Sequence, residues 1–183
     1  MSLQQRSLQV KLVFWGPGCS GKTTMLRAVA KLYPEMVVAG PVEVATSEGR
    51  TMWEDYLALH ARTIMDLVVH VYTTTGQRRF LHTREYVASG ADGLLFVADS
   101  QREALDEDLR SWEELNAVLP RGSPVLVAAN KQDLPGVVST GEMAELLGVE
   151  AGLVYPTVAR DGWGVGVVFR ELLRVSLKRY VRW

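Results

Sequence analysis

The sequence predicts an α/β fold, a doubly wound and mostly parallel sheet with helices on both faces, on three observations. An apolar run, Val10 to Trp15, leads into Gly16-Pro17-Gly18-Cys19-Ser20-Gly21-Lys22-Thr23, and a helical stripe of Met25, Leu26, Val29, Leu32 and Tyr33 follows. Two further apolar runs, Gly93 to Ala98 and Pro124 to Ala129, have the character of strands buried on both faces. Amphipathic helical stretches separate these runs, as crossovers between parallel strands require. With 183 residues, 48% of them hydrophobic, the chain 1–183 reads as one domain long enough to bury a core.

The first loop fits G-x-x-x-x-G-K-[ST] and lies between a strand and a helix, the context of a phosphate-binding loop. Gly16, Gly18 and Gly21 let the backbone curl, so that inward amides of the loop, Cys19 and Ser20 among its residues, and the helix start through Thr24 face phosphate oxygens. Lys22 then neutralises the β- and γ-phosphates, and the Thr23 hydroxyl is placed for Mg²⁺. Beyond Pro34, residues 35 to 61 show no clear period and read as a long functional connection. Residues 63 to 73 read as a strand, with a short one around Val42 to Thr46 as its hairpin neighbour, and Thr73 to Gln77 as a turn. Residues 79 to 89 suggest a short, irregular helix. Ser100 and Glu103 form a capping box for a helix striped by Leu105, Leu109, Trp112, Leu115 and Leu119. A second box, Ser139 with Glu142, opens a helix closed by Gly148. Val154 to Val158 reads as the last strand, and Val165, Phe169, Leu172, Leu173, Leu177 and Tyr180 stripe a final helix.

A formal charge of -1, from 20 Lys plus Arg against 21 Asp plus Glu, offers no broad footprint for nucleic acid or an anionic membrane. The single cysteine, Cys19, excludes an intramolecular disulfide and favours a reducing compartment. In that loop its thiol pKa would be lowered, although filler is the simpler reading. No apolar stretch reaches membrane-spanning length, position 2 is not glycine, and no prenylation box closes the chain, so the expectation is a cytoplasmic protein without a membrane anchor. His60, His70 and His82 lack metal-ligand spacing and read as surface or turn residues. Arg170, Arg174, Lys178, Arg179 and Arg182 read as the solvated face of the last helix. Met52, Trp53, Tyr56 and Leu57 gather large apolar groups that serve either the core or a partner surface.

The base that accompanies the phosphates is indicated by Asn130-Lys131-Gln132-Asp133, directly after an apolar strand. An Asp carboxylate accepts from N1-H and the exocyclic amine of guanine, a pair that adenine does not offer. Lys131 can lay its aliphatic stem along the purine. Asn130 can bridge the base to the phosphate loop, and the Ala159 N–H can donate to the guanine carbonyl. A buried Asp facing adenine would be left unpaired, and sites of this kind reject the wrong ligand by about 10⁴-fold or more. GTP is therefore expected over ATP.

Together these segments resemble the Ras-like small GTPases, and within them the bacterial gliding-motility GTPases of the MglA type. The resemblance is carried by Gly16 to Thr24, Ala45-Thr46-Ser47-Glu48-Gly49-Arg50-Thr51, His70-Val71-Tyr72-Thr73-Thr74-Thr75-Gly76-Gln77, Gly93 to Ser100 and Asn130 to Pro135. It implies a six-stranded sheet flanked by helices, GTP or GDP with Mg²⁺, two switch loops, work in bacterial polarity or motility, and a Roadblock-fold partner that stimulates hydrolysis. Partners and effectors would meet residues 45–57 and 73–85. Carried over by position, Thr51 resembles the switch threonine that reaches Mg²⁺ and the γ-phosphate, Gly76 the backbone sensor of that phosphate, and Gln77 the residue that orients attacking water. Arg50 resembles the arginine this subgroup carries in its first switch, where a guanidinium offsets charge spread over the transferring phosphoryl group.

Two positions depart from the family. Most small GTPases have Asp where Thr73 stands, although MglA-type proteins also have Thr, and losing that carboxylate is expected to weaken Mg²⁺ binding. Thr75 replaces the proline that MglA-type proteins place before Gly-Gln, so the turn is less fixed in φ. Slow or partner-dependent turnover follows. A GTP-binding interaction module with negligible turnover is the alternative, and a P-loop kinase or ATPase is opposed by Asn130 to Asp133.

Overall fold

The computed structural model describes residues 7–42, 55–62, 66–75, 81–120 and 122–180. In chain order its elements are β1 (Leu8–Trp15), α1 (Lys22–Leu32), β2 (Val37–Val42), β3 (Tyr56–Arg62), β4 (Asp66–Thr73) and α2 (Leu81–Ala88). They continue with β5 (Gly93–Asp99), α3 (Leu105–Val118), β6 (Val125–Asn130), α4 (Thr140–Leu147), β7 (Val154–Pro156) and α5 (Val165–Leu177). One sheet runs in the order β2-β3-β4-β1-β5-β6-β7. The strands from β4 to β7 in that order are mutually parallel, whereas β3 is antiparallel to both β2 and β4.

Side chains that alternate along β1 serve two separate cores. Val10, Leu12 and Phe14 pack with Met25, Leu26 and Val29 of α1 and with Val165, Phe169 and Leu172 of α5. Val13 and Trp15 face the other way, toward Val87 of α2, Leu115 of α3 and Met143 and Leu147 of α4. The expected α/β architecture with helices on both faces is therefore present. Because β5 is covered on both sides at every position, it reads as a near-continuous apolar run.

The sheet has seven strands among the described residues, one more than the expected six. The extra strand comes from the segment read as aperiodic. β2 is an edge strand whose pairing with β3 shifts register twice, and β3 buries Leu57, Ala58 and Leu59 in succession, so neither alternates cleanly. The antiparallel neighbour of β4 is β3, from Tyr56↔Tyr72 to Arg62↔Asp66, and not a strand at 42 to 46. Of that expected strand, 43 to 46 lie outside the described residues.

The Ser139 and Glu142 capping box and the left-handed Gly148 that ends α4 are as expected. Ser100 and Glu103 form no such box. A 3-10 turn, Arg102–Ala104, precedes α3, and the buried Ser100 hydroxyl accepts from Gln132 Nε2 at 2.8 Å. His60 and His70 belong to strands rather than turns, His60 bonding Asp66 and His70 lying between Tyr56 and Gln9. Tyr180, expected on the buried stripe of the final helix, is 46% exposed and donates its hydroxyl to Asp92 at 2.6 Å. No helix is long and apolar enough to cross a membrane among the described residues.

Candidate nucleotide-binding site

The carboxyl ends of β1, β5 and β6 converge, and the loops leaving them form one site. Two glycines of the first loop are required by close packing. A Cβ on Gly16 (φ 153°) would fall 2.3 Å from the Val97 carbonyl oxygen, and one on Gly21 (φ 104°) would fall 2.3 Å from Asn130 Nδ2. Cys19 adopts a left-handed φ of 63° and is exposed beside Gly18. Ser20 is fully buried, and its Oγ has no hydrogen-bond partner among the described residues, a donor turned toward the loop interior.

Lys22 is 7% exposed and its Nζ donates to the carbonyls of Gly16 at 3.0 Å and Pro17 at 2.6 Å. Burial lowers its pKa from 10.5 to about 7, with the Arg84 charge adding in the same direction. An anionic ligand in the loop opposes both effects and restores the ammonium.

The second loop is tied to the first by Asn130, which is 3% exposed. Its Nδ2 donates to the Ser20 carbonyl at 2.9 Å, while its Oδ1 accepts from Ala159 N at 2.9 Å and Thr157 Oγ1 at 3.2 Å. One side chain thus joins the phosphate loop, the end of β6 and the loop after β7. The Ala159 N–H, expected to meet a guanine carbonyl, lies at the edge of this turn and here donates to Asn130 Oδ1. Lys131, at φ 67°, is held by Asp99 at 2.5 Å, and Asp133 Oδ2 accepts from Arg160 at 3.1 Å. A cleft of about 240 Å³ lies between Cys19, Gly21 and Thr24 on one side and Lys131, Asp133 and Val158 on the other.

At the phosphate end stands a residue the sequence reading passed over. Asp55 is completely buried, and its Oδ2 accepts from Thr23 Oγ1 at 2.5 Å and Thr73 Oγ1 at 3.1 Å. Its own N–H donates back to Thr73 Oγ1 at 3.1 Å. A carboxylate is thus set beside Thr23 and Thr73 from across the β3-β4 pair, with Thr73 as its clamp. Sequence reading placed Asp55 in a long loop, and only the antiparallel register sets it opposite Thr73. Asp99 and Arg160, which bond Lys131 and Asp133, were also missed; the parallel β5-β6 register and the loop after β7 bring them there. Arg50, Thr51, Gly76 and Gln77 lie outside the described residues, as do Met52 and Trp53.

Comparison of the sequence with known proteins gives the family. The sequence profile of the ADP-ribosylation factor family fits residues 1–167. The chain belongs to that family of Ras-like GTPases. It is 31% identical to the mutual gliding-motility protein MglA of Myxococcus xanthus (strain DK1622) over 97% of this chain and 95% of that one. It is 26% identical to ADP-ribosylation factor-like protein 6 of Caenorhabditis elegans over 89% and 84% of the two chains. It is also 30% identical to the tRNA modification GTPase MnmE of Proteus mirabilis (strain HI4320), over 92% of this chain but 35% of that protein.

Family members bind and hydrolyse guanine nucleotides, in general with Mg²⁺. The donors at the phosphate end fit that ion. Thr23 and Thr73 present hydroxyls and Asp55 a carboxylate, all hard oxygens, and Mg²⁺ typically takes one or two carboxylates besides substrate phosphates. A cluster of three or more acidic or imidazole groups is absent among the described residues, and a site of this type does not need one.

Proposed function

We propose that this protein is a GTP-specific molecular switch that hydrolyses GTP slowly unless a partner assists it, and that it serves polarity or motility of the kind named for its gliding-motility relative. The observation that carries the proposal is the Asn130 bridge. It holds the phosphate loop and the Asn130-Lys131-Gln132-Asp133 turn in one rigid frame, so triphosphate and base are read together.

In this reading the loop amides from Gly16 to Thr24 and the Lys22 ammonium hold the phosphates. Asp133 pairs with the guanine edge, which requires Arg160 to swing away from its carboxylate. Thr23, Asp55 and Thr51 hold Mg²⁺, which when bound neutralises charge on the β- and γ-phosphate oxygens. Gln77 orients water, Gly76 donates its amide to the γ-phosphate, and Arg50 offsets charge that develops on the transferring group. A Roadblock-fold activator and effectors act through residues 45–57 and 73–85, the segments that also carry these groups. The buried Asp55 supports hydrolysis over passive binding, because it answers the loss of a carboxylate at Thr73.

Single-turnover hydrolysis with Mg²⁺, run with GTP, with ATP and with an Arg50→Ala variant, tests this. GTP-selective turnover that falls about 10³-fold or more in the variant is expected from the worth of a catalytic arginine. Tight GTP binding with no turnover would favour an interaction module. ATP turnover at the GTP rate would overturn the base assignment.

A further inference from the structure

A buried carboxylate outside the two nucleotide motifs holds the lysine of the second one. Asp99 ends β5, is 5% exposed, and lies opposite Asn130 in the parallel β5-β6 register. Its Oδ2 accepts from Lys131 Nζ at 2.5 Å, and its Oδ1 accepts from the Gln101 N–H and from Gln101 Nε2, each at 3.1 Å. Its own N–H donates to the Asp108 carboxylate of α3 at 3.0 Å. The Asp99 carboxylate is therefore fixed from several sides. Taking such an ion pair out of water costs about as much as the attraction returns, so fold stability alone does not account for it.

Nor is the bond needed to fasten the turn. Ser100 N donates to the Asn130 carbonyl at 3.0 Å and Gln132 N to the Thr157 carbonyl at 3.2 Å, while Gln132 Nε2 reaches Ser100 Oγ at 2.8 Å and the Val138 carbonyl at 2.9 Å. What the ion pair adds is a fixed end for the Lys131 side chain. Lys131 stands at φ 67°, a left-handed conformation that is unfavourable for a residue with a Cβ and persists where its surroundings over-determine it. Its side chain is 27% exposed and lines the cleft. A free lysine has a long flexible stem to order when a ligand arrives, whereas one tethered at Nζ is ordered beforehand. We propose that Asp99 is a positioning residue for guanine-nucleotide binding. By holding the Lys131 ammonium from a rigid seat, it lays the lysine stem as a preformed wall of the cleft. This inference rests on the proposed function only for the purine that meets that wall.

The test compares the whole protein with Asp99→Asn, Lys131→Met, the two combined, and Lys131→Ala. Methionine keeps an unbranched stem without the ammonium, and alanine removes the stem. Affinities for GDP and for a non-hydrolysable GTP analogue are measured with Mg²⁺, and fluorescently labelled GDP gives the dissociation rate. An amide oxygen holds an ammonium about half as strongly as a carboxylate does, and ordering one long side chain on binding weighs about ten-fold at most. In Asp99→Asn both affinities should therefore fall about five-fold, chiefly through faster dissociation. The two nucleotides share the base, so the ratio of their affinities stays at the parent's value. In the Lys131→Met background the same Asp99 change should alter affinity less than about two-fold, because no ammonium remains to be held. A merely structural Asp99 would lower affinity by the same factor in both backgrounds, and that result would overturn the proposal, as would parent-like binding by Asp99→Asn. Should Asp99→Asn fail to fold, Lys131→Met decides, and affinity equal to the parent's there would overturn it. Lys131→Ala separates the two levels. Parent-like binding by the alanine variant would remove the purine contact of Lys131, and the inference with it. Loss in alanine but not in methionine would leave that contact standing and remove only the role of Asp99.

Discussion

Asp55 and Thr73 show how a motif misses a partner that arrives from another strand. The pair is joined in both directions, hydroxyl to carboxylate and amide to hydroxyl, so Asp55 can hardly turn without breaking the register of β3 on β4. Asp55→Asn keeps the size and one acceptor but removes the charge. The Mg²⁺ concentration for half-maximal GTP hydrolysis should rise about ten-fold or more, as loss of a fixed carboxylate beside a metal does. Titration of hydrolysis against Mg²⁺ checks this, and an unchanged midpoint would remove Asp55 from the metal site. The expectation of weaker Mg²⁺ binding rests on Thr73 alone, and this titration tests it with Asp55 in view. The strand-loop-helix around Gly16 to Thr24 was legible in the sequence, although what excludes a Cβ at Gly16 and Gly21 is the Val97 carbonyl of β5 and Asn130 at the end of β6.

Helix α3 is fastened to the end of β5 by Asp108, whose two carboxylate oxygens accept from the Asp99 N–H at 3.2 and 3.0 Å. Burial raises its pKa from 3.8 to about 8, although the Asp99 amide pulls the other way. The folded state therefore holds a proton that the unfolded chain releases near pH 4. Stability from this group is full below that pH and is lost as pH climbs toward 8. In Asp108→Asn, thermal unfolding should depend less on pH between about 5 and 8, with the variant gaining on the parent toward the alkaline end. Parallel curves for the two proteins would show that Asp108 is ionised throughout. The apolar stripe of α3 was visible in the sequence, but Asp108 was not, because a carboxylate in a helix first turn looks like an ordinary dipole partner. The 3-10 turn replaced the expected cap for a related reason. Ser100 is inside, bonded to Gln132, and the 3-10 turn and α3 start instead from Gln101 and Ala104.

At the scale of the whole molecule, the described residues form one frame around the sheet. Asn130 bolts the two nucleotide loops together, and a core on each face of β1 supports them. A switch must then change in segments attached to this frame rather than in the frame itself. Limited proteolysis should cut within 45–57 and 73–85 at rates that differ between a GTP analogue and GDP, with sites in α1, β5 and α5 equally protected in both. Identical patterns would count heavily against a nucleotide switch.

What the sequence determined by itself is whatever depends on neighbours along the chain: the phosphate loop, the apolar strands β1, β5 and β6, the Ser139 cap, and the Asn130 to Asp133 turn. Local sterics and side-chain periodicity act over a few residues, and a reader of the sequence sees the same residues. The tertiary structure decided what depends on register between distant strands and helices. It added β2 at the sheet edge, set Asp55 against Thr73, brought Asn130 to both Ser20 and Ala159, and seated Arg84 between Trp15, Thr75 and Glu114. Those pairings join groups 9 to 110 residues apart, and only the folded sheet brings them within hydrogen-bonding distance.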